Sequence, residues 1–464
     1  MELKLNKPIP EDTICAISTA PGMGGIAVIR ISGTNAIIIT DHIFHTANKK
    51  KLSEAKPNTV HYGTIADENG TPIDDVVVTL FIAPHSFTGE DTVEISCHGS
   101  IYIQQQIISL LLRAGCRLAQ PGEFTRRAFT NGKLDLSQAE AVADLIASTS
   151  AASHRLAMQQ MRGGFSRELI LLREKLLTFA SLVELELDFS EEEVEFADRE
   201  KLTDLASEIE RVIKRLSDSF TLGNAIKNGV PTAIIGETNA GKSTLLNRLV
   251  KEDKAIVSDI HGTTRDVIEE TIRIGAVVLR LYDTAGLRDT QDPVEKMGID
   301  RAMKQAQASS LILAVFDSSD HISDDDLMVI ARTHGKRTIA VLNKSDLPSE
   351  LDVQNIQRHF DYVVSVSAKT GEGLQELYDL IPKVVGMDGM SFDGSTITNA
   401  RQAAALVRAA ERCEEAFVAA QLGMTPDAIV MDAEGAIAAL GEITGQTVRD
   451  DIVSTIFSKF CVGK

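Results

Sequence analysis

The stretch Pro231–Thr244, PTAIIGETNAGKST, constrains the fold more than any other segment. A short apolar run leads into a glycine-rich turn and then into a helix-forming run, with Gly236, Gly241, Lys242 and Ser243 in the spacing G-x-x-x-x-G-K-S. The glycines let backbone N–H groups face phosphates at a helix N-terminus, so the segment predicts a strand, a phosphate-binding loop and a helix on an α/β sheet. Asn239, Ala240 and Thr244 complete the loop. The Lys242 ammonium would reach the β- and γ-phosphates, and the Ser243 hydroxyl would ligate Mg²⁺.

Three further elements follow in order. LRLYDTAG alternates as a strand should and ends in Asp283, Thr284, Ala285 and Gly286. Asp283 would hold Mg²⁺ through water, and the Gly286 N–H would contact the γ-phosphate. TIAVLNKSD is a buried strand ending in Asn343, Lys344 and Asp346. A carboxylate at Asp346 can accept from both guanine N1–H and N2–H₂, a pair that adenine cannot supply, so GTP is expected rather than ATP. VVSVSAKTG supplies Ser367, Ala368 and Lys369, whose backbone would contact the guanine O6. HGTTRD, between the first two elements, offers Thr263 or Thr264 as a switch residue reaching the magnesium.

The residue after Gly286 is Leu287, which cannot orient an attacking water as a glutamine does. Hydrolysis still needs positive charge near the β–γ bridging oxygen and a group that polarises water. The side-chain oxygen of Asn239, with backbone carbonyls of the switch segment, could bind a monovalent cation such as K⁺. Asp289, Asp292 and Glu295 are the acids available for the water, and chemistry alone does not choose among them.

A chain of 464 residues is too long for one hydrophobic core. Residues 1–120 read as mixed α and β: TICAIST, IAVIRIS, DVVVTLFI and TVEISCH are strand-like, and SIYIQQQIISLLLRAG is a helix ending at Gly115. From 121 to 222 the pattern is helical, with Ser137 and Glu140 as a capping box. Stripes run Leu169, Leu172, Leu176, Phe179, Val183 and Leu205, Ile209, Val212, Leu216. Strands and helices alternate over 223–380, and helical pattern resumes over 381–464, with Val448, Ile452, Ile456 and Phe460 as its last stripe. Neither helical half has an independent boundary, so the α/β domain is read as an insertion into one helical domain.

The formal net charge of −19 provides no global positive field for nucleic acid. Arg126 and Arg127 form a small basic spot that could touch RNA, and the acidic run from Glu184 to Phe196 reads as a solvated helix end. Five scattered cysteines without C-x-x-C read as reduced thiols of a cytoplasmic protein. No apolar run reaches bilayer-spanning length, and the CVGK tail lacks the aliphatic residue that a prenylation box needs at Gly463.

TNAGKST, SDIHGTTRD, DTAGLRDTQDPVEKMG, NKSD and the terminal FCVGK together resemble the MnmE (TrmE) family of tRNA-modification GTPases, and the resemblance covers the whole chain. It implies an α/β P-loop GTPase domain inserted into an α-helical domain, preceded by an N-terminal α+β domain that binds folate and dimerises. It places Asn239, the Ser258 and Ile260 carbonyls and Thr263 at K⁺-binding positions, and Ser243 and Thr264 at Mg²⁺ positions. Glu295 matches the family's water-orienting acid, so potassium would replace an arginine finger and a displaced glutamate the usual glutamine. Arg30, Glu94, Lys133 and the terminal Lys464 match contacts to a folate, 5,10-methylenetetrahydrofolate with 5-formyltetrahydrofolate as analogue, and Cys461 matches a catalytic thiol. A homodimer working on tRNA with an FAD-dependent MnmG-type partner, as a heterotetramer or larger, is the implied assembly. Thr238 and Val462 depart from the proline and isoleucine common at those positions. The rivals are a ribosome-assembly GTPase, disfavoured by the absence of a basic appendage after residue 380, and a nucleotide-gated scaffold.

Overall fold

The computed structural model describes residues 12–46, 50–188, 199–252, 270–275, 277–281, 309–386, 395–422 and 424–463, without the side chains of 185–188, 199–203, 251–252 and 270. The N-terminal segment carries β1 (Ile14–Ile17), β2 (Ile26–Ser32), α1 (Ala36–Ile43), β3 (Phe44–Thr46), β4 (Thr59–Ala66), β5 (Pro72–Phe81), β6 (Thr92–His98), α2 (Ile101–Arg113) and β7 (Arg117–Leu118). Helices α3 (Glu123–Thr130), α4 (Leu136–Ala147), α5 (Ala151–Met161), α6 (Gly164–Asp188) and α7 (Arg199–Asn228) follow. Next come β8 (Val230–Gly236), α8 (Lys242–Glu252), β9 (Glu270–Ile274), β10 (Val277–Leu281), β11 (Leu311–Asp317), α9 (Asp324–Thr333), β12 (Thr338–Asn343), α10 (Val353–His359), β13 (Tyr362–Ser365) and α11 (Leu374–Val384). Helices α12 (Ala400–Gln421), α13 (Pro426–Thr444) and α14 (Asp450–Ser458) close the chain.

Two compact units emerge. The first holds Met1–Ile146, Gln160–Ile209 and Arg408–Lys464, and the second holds Ala147–Gln159 and Glu210–Val407. In the first, the strands form a seven-stranded sheet in the order β3-β4-β5-β6-β2-β1-β7. Its strands alternate: Ala27, Ile29 and Ile31 of β2 and Val93, Ile95 and Cys97 of β6 enter the core under α1 and α2. The period of two therefore sends Arg30 and Glu94 to the opposite face, where they are register partners.

The helical part of this unit packs α6 against α13. Leu169, Leu172, Leu176, Phe179 and Val183 are all buried, and Phe179 meets Phe417 of α12 edge-on with ring centroids 5.1 Å apart. Three helical expectations shift. The reciprocal cap at α4 is Asp135 with Gln138 (Gln138 N to Asp135 Oδ1 2.8 Å, Asp135 N to Gln138 Oε1 3.0 Å), because Ser137 is itself buried inside the helix. In α7 the buried position is Ile213, with Val212 only half-buried. In α14 Phe457 is the anchor, packed with Leu136 and Ala139, and Val448 and Phe460 flank the helix rather than lie on it. The first two shifts are one- or two-residue slips, the ordinary error of a periodicity argument.

In the second unit the sheet order is β13-β12-β11-β8-β10-β9, parallel except for the edge pair β9–β10. β11 and β12 are buried at nearly every position, as strands covered on both faces must be. β8 lies between β10 and β11, so the chain leaves its C-terminal end at the point where the strand order diverges in two directions, the usual place for a ligand crevice.

Among charged groups of the first unit, Arg127 is 5% exposed and binds Asp12, Glu90 and Glu123, while Arg117 also binds Asp12 and Glu123. Arg127 is therefore a buried tie rather than part of a basic surface spot. Burial raises the Glu123 carboxyl, but hydrogen bonds from Arg117 and Gln120 outweigh it and leave the pKa below its ordinary 4.5. Its stabilising contribution is complete above that value and is lost as pH falls through the depressed one. Glu123→Gln should thus destabilise this unit near neutral pH by about 1–3 kcal/mol and flatten the onset of acid unfolding, measured by denaturant titration at several pH values. Phe179→Ala should cost about 3–5 kcal/mol in the same assay.

Candidate functional site

The loop after β8 is built by close backbone approaches. A Cβ at Gly236 would lie 2.2 Å from the Val315 carbonyl oxygen, and one at Gly241 2.1 Å from Asn343 Nδ2. Gly241 has φ +91° and Asn239 φ +67°, so the loop coils through the left-handed region twice. Lys242 Nζ donates to the carbonyls of Gly236 (3.0 Å) and Glu237 (2.6 Å), which holds its ammonium against the loop. Ala240 is buried and anchors the loop, Ser243 is half-buried in the first turn of α8, and Asn239 and Thr244 are exposed. Backbone donors at a helix start, a lysine and a hydroxyl form a cradle suited to a phosphate chain with Mg²⁺.

The Asn343–Asp346 and Ser367–Lys369 segments meet this loop through one side chain. Asn343, 2% exposed at the end of β12, donates from Nδ2 to the Ala240 carbonyl (2.8 Å) and accepts at Oδ1 from the Ala368 N–H (3.0 Å). Ser367 Oγ donates to Asp346 Oδ1 at 2.6 Å, and this hydrogen bond holds the Asp346 carboxyl below the ordinary carboxylate value. Ser367 Oγ also accepts from the Thr370 N–H (3.1 Å). Lys344 has φ +64° and pairs with Asp317. Lys369 is exposed. Gly236 through Thr244, Asn343, Lys344, Asp346 and Ser367 through Lys369 thus converge at one end of the sheet. Ser258, Ile260, Thr263, Thr264, Asp283, Thr284, Ala285, Gly286, Leu287, Asp289, Asp292 and Glu295 lie outside the described residues, as does Lys464.

A second constellation sits on the N-terminal sheet. Arg30 donates from Nε to Glu94 Oε1 at 2.8 Å, and its guanidinium lies 5.4 Å from the Phe87 ring centroid and 5.6 Å from that of Phe124. Lys133 Nζ donates to the Pro84 carbonyl (3.0 Å), on the same loop as Phe87. The C-terminal tail docks at the neighbouring strand: Ser18 Oγ donates to the Gly463 carbonyl (3.1 Å), and the Gly122 N–H donates to the Cys461 carbonyl (3.3 Å). Cys461 is exposed and lies beyond α14, whereas the other four cysteines are buried. Burial pushes Cys97 up to about 11 and Cys413 up to about 12, so neither is a thiolate near neutral pH.

Sequence reasoning missed Phe87 and Phe124 beside Arg30, the Ser367 side chain beside Asp346, and Asp317. Only the last had a local signal, the Asp-Ser-Ser at the end of a strand, which favours an Asx turn. The aromatic neighbours come from a loop and a helix distant in sequence.

Comparison with known proteins gives two family matches: "GTP-binding protein TrmE N-terminus" over residues 13–133 and "MnmE helical domain" over residues 136–461. A relative from Parabacteroides distasonis called "tRNA modification GTPase MnmE" is 51% identical over 459 residues, covering 97% of this chain and 100% of its own length. Relatives of the same name from Bacteroides thetaiotaomicron and Flavobacterium psychrophilum are 51% and 49% identical, each covering 98% of this chain and 100% of their own.

Asn343→Ala should weaken GTP and GDP together by at least about tenfold, since it removes two buried hydrogen bonds that join the loops, read by equilibrium nucleotide titration. Ser367→Ala should move the Asp346 carboxyl upward toward 3.8, followed by carboxyl NMR titration.

Proposed function

The chain belongs to the MnmE family of tRNA-modification GTPases, and on that premise we propose that it is a cytoplasmic, K⁺-stimulated GTPase that modifies C5 of the wobble uridine in certain tRNAs. It works as a homodimer with an FAD-dependent MnmG-type partner, in a heterotetramer or larger, and installs an aminomethyl-type group from a folate one-carbon donor. The four-part division at 120, 222 and 380 belongs to the same reading. No helix among the described residues is long and apolar enough to cross a membrane.

The observation that carries the GTPase half is the Asn343 bridge, which ties the phosphate loop to the base-reading loop. Asp346, oriented by Ser367, is the guanine acceptor; Lys242 meets the phosphates; Ser243, with Thr264, holds Mg²⁺. Asn239 fits a potassium site: its left-handed φ and exposure leave a neutral oxygen donor at the loop surface. The Ser258 and Ile260 carbonyls and Thr263 complete that donor set, and Asp283 and Gly286 complete the phosphate contacts. Potassium supplies the positive charge that a guanidinium supplies in related enzymes, and Glu295 orients the attacking water.

The folate half rests on the Arg30–Glu94 pair. Two phenyl rings flank the guanidinium on the sheet face opposite α1 and α2, and a carboxylate stands beside it for the donors of a pterin. Lys133, Lys464 and Cys461 serve the same site. The folate supplies the carbon, the partner's flavin the redox step, and GTP hydrolysis drives a conformational cycle.

GTP turnover should be faster in KCl than in matched NaCl, and equal rates would remove the potassium site. Glu295→Ala should lower kcat and leave GTP affinity nearly intact; unchanged kcat would clear that residue. Folate titration should lose its signal in Arg30→Ala and Glu94→Ala while GTP hydrolysis persists, and a modified-nucleoside profile of tRNA from cells lacking the protein should lack the wobble-uridine product.

A further inference from the structure

Asp317 ends β11, beside the strand that delivers the phosphate loop. Its carboxylate, 19% exposed, accepts from the Ser319 N–H (3.0 Å), from Ser319 Oγ (2.7 Å) and from Lys344 Nζ. Burial raises its pKa, and the lysine and serine donors more than reverse that, so it is a carboxylate at neutral pH. Lys344 stands at φ +64°, a conformation that a long side chain seldom adopts without support. Its neighbours do the recognition work: Asn343 before it bonds both loops, and Asp346 after it faces the base. The turn is closed by the Leu347 N–H donating to the Lys344 carbonyl (2.9 Å), and the Ser318 N–H donates to the Asn343 carbonyl (2.9 Å).

We propose that Asp317 is a positioning residue for nucleotide binding, its ion pair with Lys344 holding that lysine in the left-handed turn that aims Asp346. The bonds of Asn343, the ion pair of Lys344 and the Ser345 N–H donating to the Val366 carbonyl (3.1 Å) together hold the turn that leads to Asp346. An asparagine at 317 would keep the Ser319 bonds and the shape but attract the ammonium far less. The donors of Ser319 and Lys344 occupy the Asp317 carboxylate, so the pair should act equally on GTP and GDP and have no part in the chemical step. This inference uses the GTPase activity alone and does not depend on the folate or potassium assignments.

The test uses the full chain, with GDP and GTP as probes. Asp317→Asn should raise the GDP Kd and the GTP KM together by about five- to tenfold, with kcat at saturating GTP within about twofold of the parent. Lys344→Met should raise both constants at least as far, the double variant should be no worse than Lys344→Met alone, and Asp317→Glu should recover part of the affinity. An unchanged KM in Asp317→Asn, a fall in kcat with KM unchanged, or multiplying effects in the double variant would each overturn the proposal. If Asp317→Asn does not fold, Asp317→Ser decides, because it removes the carboxylate and leaves Lys344 intact: a raised KM with kcat held supports the pair, and an unchanged KM overturns it.

Discussion

Asn343 joins two loops more than a hundred residues apart through one buried carboxamide, donating to Ala240 and accepting from Ala368. Each partner is a backbone group at the end of the parallel sheet with no partner of its own in a strand. Left unpaired there, either would cost free energy comparable to a lost hydrogen bond. Satisfying both with one side chain fixes the distance between the loop after β8 and the segment after β13. Gly241 has no side chain because any Cβ would occupy the space of that carboxamide. Thus the glycine in the loop and the asparagine at the end of β12 are two halves of one steric requirement.

The first unit uses a similar economy with charge. Arg127 is nearly excluded from solvent and connects the segment before β1, the loop between β5 and β6, and α3 through Asp12, Glu90 and Glu123. Asn131 donates to the Thr88 carbonyl of that same loop (2.8 Å), and Lys133 to its Pro84 carbonyl. The loop so held carries Phe87 against Arg30. A buried ion cluster is weak evidence for stability, but here it fixes the position of an aromatic ring beside a charged pair. The C-terminal tail is placed by comparable constraints. Gly463 has φ +92°, and a Cβ there would lie 2.2 Å from the Ile17 carbonyl oxygen, so Gly463 lies close against the end of β1, while the Cys461 carbonyl is held by the Gly122 N–H.

Legibility followed the range of the interactions. The strand IAVIRIS was read correctly because alternation is a property of adjacent residues, and α6 because its stripe repeats every three to four. The strand Thr59–Ala66 and the helix Ala36–Ile43 were missed. The first mixes polar residues into a strand paired on both sides, and the second is a β-branched run whose helix is set by packing against α2 and the sheet. The cap of α4 was misplaced by two residues because Ser137 and Asp135 both fit a capping pattern and only burial separates them.

By itself the sequence determined the strand, glycine-rich loop and helix around G-x-x-x-x-G-K-S, the buried strand ending in NKSD, and the return to helix at the end. Those are short-range or strictly spaced, so a linear string carries them. Only tertiary structure decided that Asn343 is the bridge, that Ser367 orients Asp346, that Arg127 is buried rather than presented, and that Cys461 is exposed with its carbonyl held at Gly122. Each of these depends on which atoms meet across a large gap in the chain, and burial, which turns such a meeting into energy, exists only once the chain has folded.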